Sequence, residues 1–205
     1  MDLNKRKNHR LKNYDYSNSG YYYITICTKK MKCLLCTIDA STEKNSIEEK
    51  SLRNLFNNPL TLAGNSRPFV KVSPTPIGKI VTEAICNIEK LNADVKIDKF
   101  ALMPNHIHVI VVLTNSDTNY NFEKDYDFQI RKNSISELIR SFKSVTTRKY
   151  KKLFNTDEGL WQESFYDEIL KSPNHYENVW QYIEENPANW ISDKLNPDNI
   201  NWSIL

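Results

Sequence analysis

The sequence contains little glycine, proline or cysteine, and it has no long apolar run. With 4 Gly and 8 Pro among 205 residues, the chain is neither collagen-like nor of low complexity. No apolar segment approaches the length of a membrane span, and the basic N-terminus MDLNKRKNHRLK lacks the apolar segment of a signal peptide. We therefore expect an intracellular, cytoplasmic protein that does not act at a membrane.

The cysteines are too few for a disulfide framework, and their spacing does not match a zinc site. There are four, Cys27, Cys33, Cys36 and Cys86. The C-x-x-C pair at 33–36 has no second pair and encloses two leucines, so buried thiols on a strand are a better interpretation than a redox or metal pair.

Positive charge is concentrated in two segments, although the net charge is only +3. The N-terminal arm is rich in Lys and Arg, and residues 131–152 contain eight Lys or Arg against the single acidic Glu137. Such clusters are typical of proteins that bind nucleic-acid phosphates. On charge alone, a solvated helix face explains either cluster equally well.

Apolar periodicity predicts one domain, residues 1–205, of alternating strands and helices. Strand-like runs lie at 21–28, 95–102, 106–113 and 165–170, and helical patterns lie at 77–91, 134–152 and 173–186. The polar segment 37–76 is expected to be an inserted loop, with at most a short helix near 47–55. The tail from 191 is expected to be irregular and to lie on the surface. This order predicts an α+β fold, a ferredoxin-like or RNA-recognition-like antiparallel sheet with helices mainly on one face.

Two histidines stand at the start of the most apolar strand, in MPNHIHVIVVL (103–113). Because side chains alternate along a strand, His106 and His108 point to the same side and can converge on a metal ion. Two nitrogen ligands rarely suffice, however, and hydrogen bonding at the end of a hairpin is an equally weighted structural alternative.

The last predicted helix contains the segment VWQYIEENP (179–187). Tyr182 and Asn186 are four residues apart, so a phenol and an amide share one side of that helix, at the edge of its apolar stripe. On spacing alone, a boundary core tyrosine and a helix-ending asparagine remain the simpler interpretation.

Four motifs follow one another along the chain: LMPNHIHVIV, SFKS-x-T in the basic helix, LWQ-x-x-FYD and YIEENPANW. Together they resemble the IS200-like single-tyrosine transposase family, especially its REP-associated branch, and YDYSNSGYYYITICT (14–28) is similar to the family's first strand. The resemblance implies a ferredoxin-like sheet and a His-hydrophobic-His motif at His106 and His108. It also implies a nucleophile at Tyr182 and a third metal ligand at Asn186.

By the same resemblance, the activity is the cleavage and rejoining of single-stranded DNA near hairpins, through a 5′-phosphotyrosine intermediate and with Mg²⁺ or Mn²⁺. The expected partners are single-stranded or hairpin DNA rather than a small-molecule substrate, and the expected state is a monomer or a homodimer in a bacterial-type cytoplasm. Alternatives are a non-catalytic single-stranded nucleic-acid-binding protein and a replication initiator or relaxase-like nuclease. The preferred phosphate contacts are Arg6, Lys7, Arg10, Arg140, Lys143, Arg148 and Lys149.

Overall fold

A four-stranded antiparallel sheet forms the centre of the computed structural model, which describes residues 18–39, 70–114 and 134–199. The strands are β1 Gly20–Cys27, β2 Cys36–Asp39, β3 Lys71–Pro74, β4 Val95–Leu102, β5 His106–Leu113 and β6 Tyr166–Ile169. The helices are α1 Pro76–Leu91, α2 Ile135–Phe154 and α3 Pro173–Glu185, with three short 3-10 turns at Lys29–Met31, Trp190–Ser192 and Pro197–Asn199.

The sheet has the strand order β4-β5-β1-β6, and every neighbouring pair is antiparallel. Along the chain its elements follow one another as β1, α1, β4, β5, α2, β6, the ferredoxin-like sequence of strand, helix, two strands, helix and strand. The predicted α+β class is therefore confirmed. Strands β2 and β3 form a separate two-stranded antiparallel pair between β1 and α1.

The helices begin where the sequence supplies capping groups. Thr75 accepts a hydrogen bond from the Gly78 amide at 3.1 Å, with Pro76 in the first turn. Ser134 and Ser172 cap α2 and α3 in the same way. Helix α2 ends at Asn155, whose φ of 47° lies in the left-handed region that asparagine tolerates.

The two faces of the sheet are covered by different helices. Helices α1 and α2 bury their apolar stripes against one face, which presents Ile24, Ile107 and Val109. Helix α3 packs on the other face, where Ile183 meets Ile110. The prediction of helices mainly on one face is thus correct for two of three, and the third helix is the one that borders the histidines.

The segment 37–76 is more ordered at its ends than the sequence predicts. Strands β2 and β3 pair from Cys36 to Asp39 with Pro74 to Lys71, so the prediction of a plain loop is wrong there. Strands of only four residues are too short for alternation to give a clear periodic signal, and only their cross-strand pairing reveals them. Residues 40–69, including the helix predicted near 47–55, lie outside the described residues.

The tail after residue 190 is also more ordered than predicted. It turns twice through 3-10 geometry and buries Asp193 and Asn196, so it is irregular but does not simply lie on the surface. Among the described residues, no helix combines the length and the apolarity needed to cross a membrane.

Candidate active site

His106 and His108 lie on the face of the sheet that α3 borders, as strand alternation predicts. Their side chains are 0% and 1% exposed, and their Nε2 atoms are 2.9 Å apart. The intervening Ile107 points into the opposite core. The two imidazoles therefore converge, and the sequence-based prediction of a shared face is correct.

Hydrogen bonds fix the far side of each imidazole. His106 Nδ1 is 2.7 Å from Asn105 Oδ1. His108 Nδ1 is 2.8 Å from the Tyr23 hydroxyl and 2.9 Å from the Thr25 hydroxyl. The outer nitrogen of a metal-binding histidine is usually held in this way, which leaves the inner nitrogen for the ion.

Burial keeps both rings neutral. Burial, with a smaller contribution from the nearby Lys194 ammonium, lowers the pKa of His106 to about 3. Burial also lowers the pKa of His108 well below its usual value, with smaller contributions from His106 and Lys194. A neutral imidazole is the form that binds a metal ion, so the site is prepared for a cation at neutral pH.

Helix α3 places Tyr182 beside this pair. The Tyr182 ring centroid is 5.3 Å from that of His108, and the side chain is 40% exposed. Burial raises the pKa of the Tyr182 phenol and the Asp193 carboxylate raises it further, whereas a hydrogen bond from the Asn186 side chain lowers it. The phenol therefore stands at the opening of a buried polar cluster.

Asn186 lies one turn after Tyr182 and is 3% exposed. Its Oδ1 is buried and has no hydrogen-bond partner. An unpaired buried carbonyl oxygen is costly, and its presence is explained if the oxygen meets a cation. The structure therefore brings Asn186 to Tyr182, as its spacing predicts.

Asp193 is a candidate ligand that the sequence did not reveal. Ligand atoms of Asp193, His106 and His108 lie within 4.8 Å of one another, and Asp193 is 8% exposed. The Leu195 amide donates to Asp193 Oδ1 at 2.6 Å, which fixes the carboxylate. Asp193 belongs to an aperiodic tail, so spacing could not have placed it near strand β5.

The residues present fit a divalent cation. Two neutral imidazole nitrogens and one carboxylate converge here, and such nitrogen and oxygen donors bind divalent cations. The unpaired amide oxygen of Asn186, one turn after Tyr182, is a further oxygen donor. In an octahedral ion with bonds of about 2.1 Å, adjacent ligand atoms lie about 3 Å apart, close to the separation of the two Nε2 atoms.

Four of the six basic residues of α2 lie along one stripe of the helix. Arg140, Lys143 and Arg148 line an open groove of about 610 Å³ together with Ser144, Thr147 and Lys151. Lys143 Nζ also donates to the carbonyl of Glu163 at 2.8 Å. Lys149 does not line this groove and is 3.8 Å from Glu83. Arg6, Lys7 and Arg10 lie outside the described residues.

Comparisons with known proteins found a sequence relative and several similar solved structures. An uncharacterized protein from Haemophilus influenzae is 26% identical over 208 residues, with 96% of each chain covered. No protein-family model matches the chain. A REP-associated tyrosine transposase bound to a REP hairpin is 13% identical, with a TM-score of 0.46 over 88% of this chain and 73% of that one.

The second structure is described as a transposase candidate from Deinococcus radiodurans. It is 13% identical, with a TM-score of 0.41 over 86% of this chain and 95% of that one.

Proposed function

We propose that this chain is a metal-dependent single-stranded DNA endonuclease and strand transferase of the IS200-like single-tyrosine transposase kind, from the REP-associated branch. The observation that carries the proposal is the position of Tyr182. This half-exposed phenol lies beside a buried pair of neutral histidines, 5.3 Å from the His108 ring. An accessible nucleophile next to a cation site is the arrangement that phosphoryl transfer requires.

In this proposal His106 and His108 hold Mg²⁺ or Mn²⁺, with Asn186 as the third ligand and Asp193 as an additional one. When bound, the cation supplies positive charge to the scissile phosphate and to the phenolate. The unpaired Asn186 Oδ1 and the position of Asp193 beside the two rings support this set.

Tyr182 supplies the nucleophile. The phenol loses its proton and its oxygen attacks phosphorus, so that a P–O(Tyr) bond forms and the bond to the 3′ oxygen breaks. The departing oxygen takes up a proton, and the leaving strand ends in a 3′-hydroxyl. Asn186 assists because its hydrogen bond favours the phenolate. One phosphate ester replaces another, so a 3′-hydroxyl can reverse the step without an external energy source. The DNA is therefore cleaved and rejoined rather than hydrolysed.

The groove on α2 binds DNA phosphates in this proposal. Its basic members, Arg140, Lys143, Arg148 and Lys151, follow one helical stripe with two hydroxyl residues between them. Lys143 gives part of its donor capacity to a backbone carbonyl, so Arg140 and Arg148 are the stronger phosphate contacts. Lys149 is a weaker choice because it lies outside the groove. Binding through this groove should weaken steeply as salt concentration rises.

The test is the formation of a covalent protein–DNA adduct. Full-length protein, Mn²⁺ and a hairpin-bearing single strand should give an adduct that survives a denaturing gel, and Tyr182→Phe should give none. Tyr166→Phe is the matched control, because Tyr166 is a similarly exposed tyrosine (39%) on the same face of the sheet and should leave the adduct intact. An adduct that persists in Tyr182→Phe would refute the assignment.

A second candidate is a non-catalytic nucleic-acid-binding protein that stacks bases on aromatic side chains. Tyr21 is 45% exposed and Tyr166 is 39% exposed, which favours it. Tyr22 and Tyr23 are 0% and 8% exposed, so they are excluded as stacking platforms. Metal-independent binding of single strands without any cleavage would support this alternative.

A further inference from the structure

The hydrogen bonds around His106 fix its tautomer. Asn105 Nδ2 donates to the carbonyls of Met31 at 3.3 Å and Leu195 at 2.7 Å, so Asn105 Oδ1 is the atom that faces His106. A carboxamide oxygen only accepts hydrogen bonds. His106 must therefore carry its proton on Nδ1, and its Nε2 presents a lone pair to the site.

His108 has partners of a different kind. Its Nδ1 faces two hydroxyls, those of Tyr23 and Thr25, and a hydroxyl can both donate and accept. Its Nε2 lies 2.9 Å from the unprotonated Nε2 of His106. Two lone pairs at that distance would repel, so without a cation the proton of His108 is on Nε2 and donates to His106. His108 Nδ1 then accepts from a hydroxyl.

A cation held by both rings needs both Nε2 lone pairs. His108 must then carry its proton on Nδ1, from which it donates to the oxygen of Tyr23 or Thr25. One proton leaves Nε2 to solvent and one is taken up at Nδ1, so the ring has the same charge before and after. A carbonyl beside Nδ1 would allow only the cation-bound tautomer, and an amide N–H would allow only the other. A hydroxyl can pair with Nδ1 in either tautomer, because it can both donate and accept.

We propose that Tyr23 and Thr25 are positioning residues that hold the His108 ring in both tautomers, so that this one histidine changes tautomer when a divalent cation binds. The inference rests on the cation site of the proposed function. It adds a role for two side chains that sequence spacing did not select, since they meet His108 only through the pairing of β1 with β5.

Nitrogen NMR of histidine-labelled full-length protein tests the proposal directly. His9→Gln and His175→Gln variants assign the two remaining rings, and diamagnetic Zn²⁺ is the probe. Without metal, His106 should show an unprotonated Nε2 and His108 an unprotonated Nδ1. On titration with Zn²⁺, His108 should exchange to a protonated Nδ1, whereas His106 should keep its tautomer.

Variants separate this role from a merely structural one. Tyr23→Phe or Thr25→Val alone leaves one hydroxyl and should retain the change of tautomer. The double variant should bind Zn²⁺ about 10- to 100-fold more weakly, the usual effect of losing the partners that orient a ligand. The matched double control is Tyr22→Phe with Thr82→Val, which removes the same groups on the opposite side of the sheet and should bind normally.

The outcomes also distinguish this inference from the proposed function. Zn²⁺ binding with an unchanged His108 tautomer, or a double variant of normal affinity, would overturn the role of Tyr23 and Thr25 and leave the cation site standing. Absence of any Zn²⁺-dependent change at either ring would overturn both. Loss of the adduct in Tyr182→Phe tests the nucleophile and is independent of these spectra.

Discussion

Replacing Asp193 by Asn is the most direct test of how the cation site is composed. The carboxylate is buried, and its ligand atom lies within 4.8 Å of those of His106 and His108. Asn is nearly isosteric and can keep the oxygen that accepts from the Leu195 amide. The substitution therefore removes the negative charge while preserving the packing of the tail.

The size of the effect follows from the charge that is lost. A carboxylate and a divalent cation interact by about 8 kcal/mol even at a separation of 4 Å and an effective dielectric constant of 20. Both groups lose hydration when they meet, so the net loss is smaller, and about 2 kcal/mol is a reasonable expectation. Because each 1.4 kcal/mol is a factor of ten, Asp193→Asn should bind Mn²⁺ about 30-fold more weakly.

The assay is isothermal titration of the full-length protein with Mn²⁺. His106→Ala gives the reference for a lost ligand. Asp198→Asn, an exposed aspartate in the same tail, is the matched control and should bind like the wild type. Thermal unfolding should show that all variants are folded. Wild-type affinity in Asp193→Asn, with binding lost in His106→Ala, would refute the reasoning and leave Asn186 as the third ligand.

Three further predictions concern the frame of the site. Gly78→Ala should destabilise the protein by about 3 kcal/mol, because the new Cβ would lie 1.8 Å from the backbone carbonyl oxygen of Leu35. Denaturant unfolding measures this loss, and an unchanged midpoint would contradict the close approach. Thr146→Val should lower the free energy of unfolding by about 1–3 kcal/mol, because the buried Trp161 Nε1–H donates to Thr146 Oγ1 at 2.8 Å and would lose its acceptor. Thr146→Ser keeps a hydroxyl acceptor and should unfold like the wild type. A thiol-alkylating reagent at pH 8 should label the exposed Cys33 in the native protein but spare Cys36, because burial raises the pKa of Cys36 to about 12; mass spectrometry of peptides should show Cys36 labelled only after denaturation.

Much of the fold could be predicted because its signals are local. The spacing of apolar residues and the caps predicted three helices. Strands β4 and β5 have the same bounds as the strand-like runs predicted at 95–102 and 106–113. The same alternation put His106 and His108 on one face. One-turn spacing likewise placed Tyr182 and Asn186 together on α3.

The remainder of the site depends on contacts that have no local signal. Tyr23 and Thr25 reach His108 because β1 pairs with β5 in a register that sets Thr25 opposite His108. That register is a property of the whole sheet. Shifting the pairing of the two strands by two residues would keep the same side chains on each face, so the apolar pattern alone does not determine the register. Asp193 was missed for a similar reason, because a tail of 3-10 turns has no period from which its direction could be predicted.

Asn105 shows how the tail and the sheet are joined at the site. Its side-chain amide donates to carbonyls of two segments, the turn after β1 at Met31 and the tail at Leu195, while its oxygen orients His106. Asn105 is fully buried, and its hydrogen bond to His106 is protected from water, whereas those to Met31 and Leu195 are partly buried. The same side chain therefore fixes the tautomer of one histidine and holds the segment that carries Asp193. The α1 and α2 core lies on the opposite face and contains none of these groups, so the sheet can keep its fold when the tail is displaced, whereas the cation site cannot remain complete.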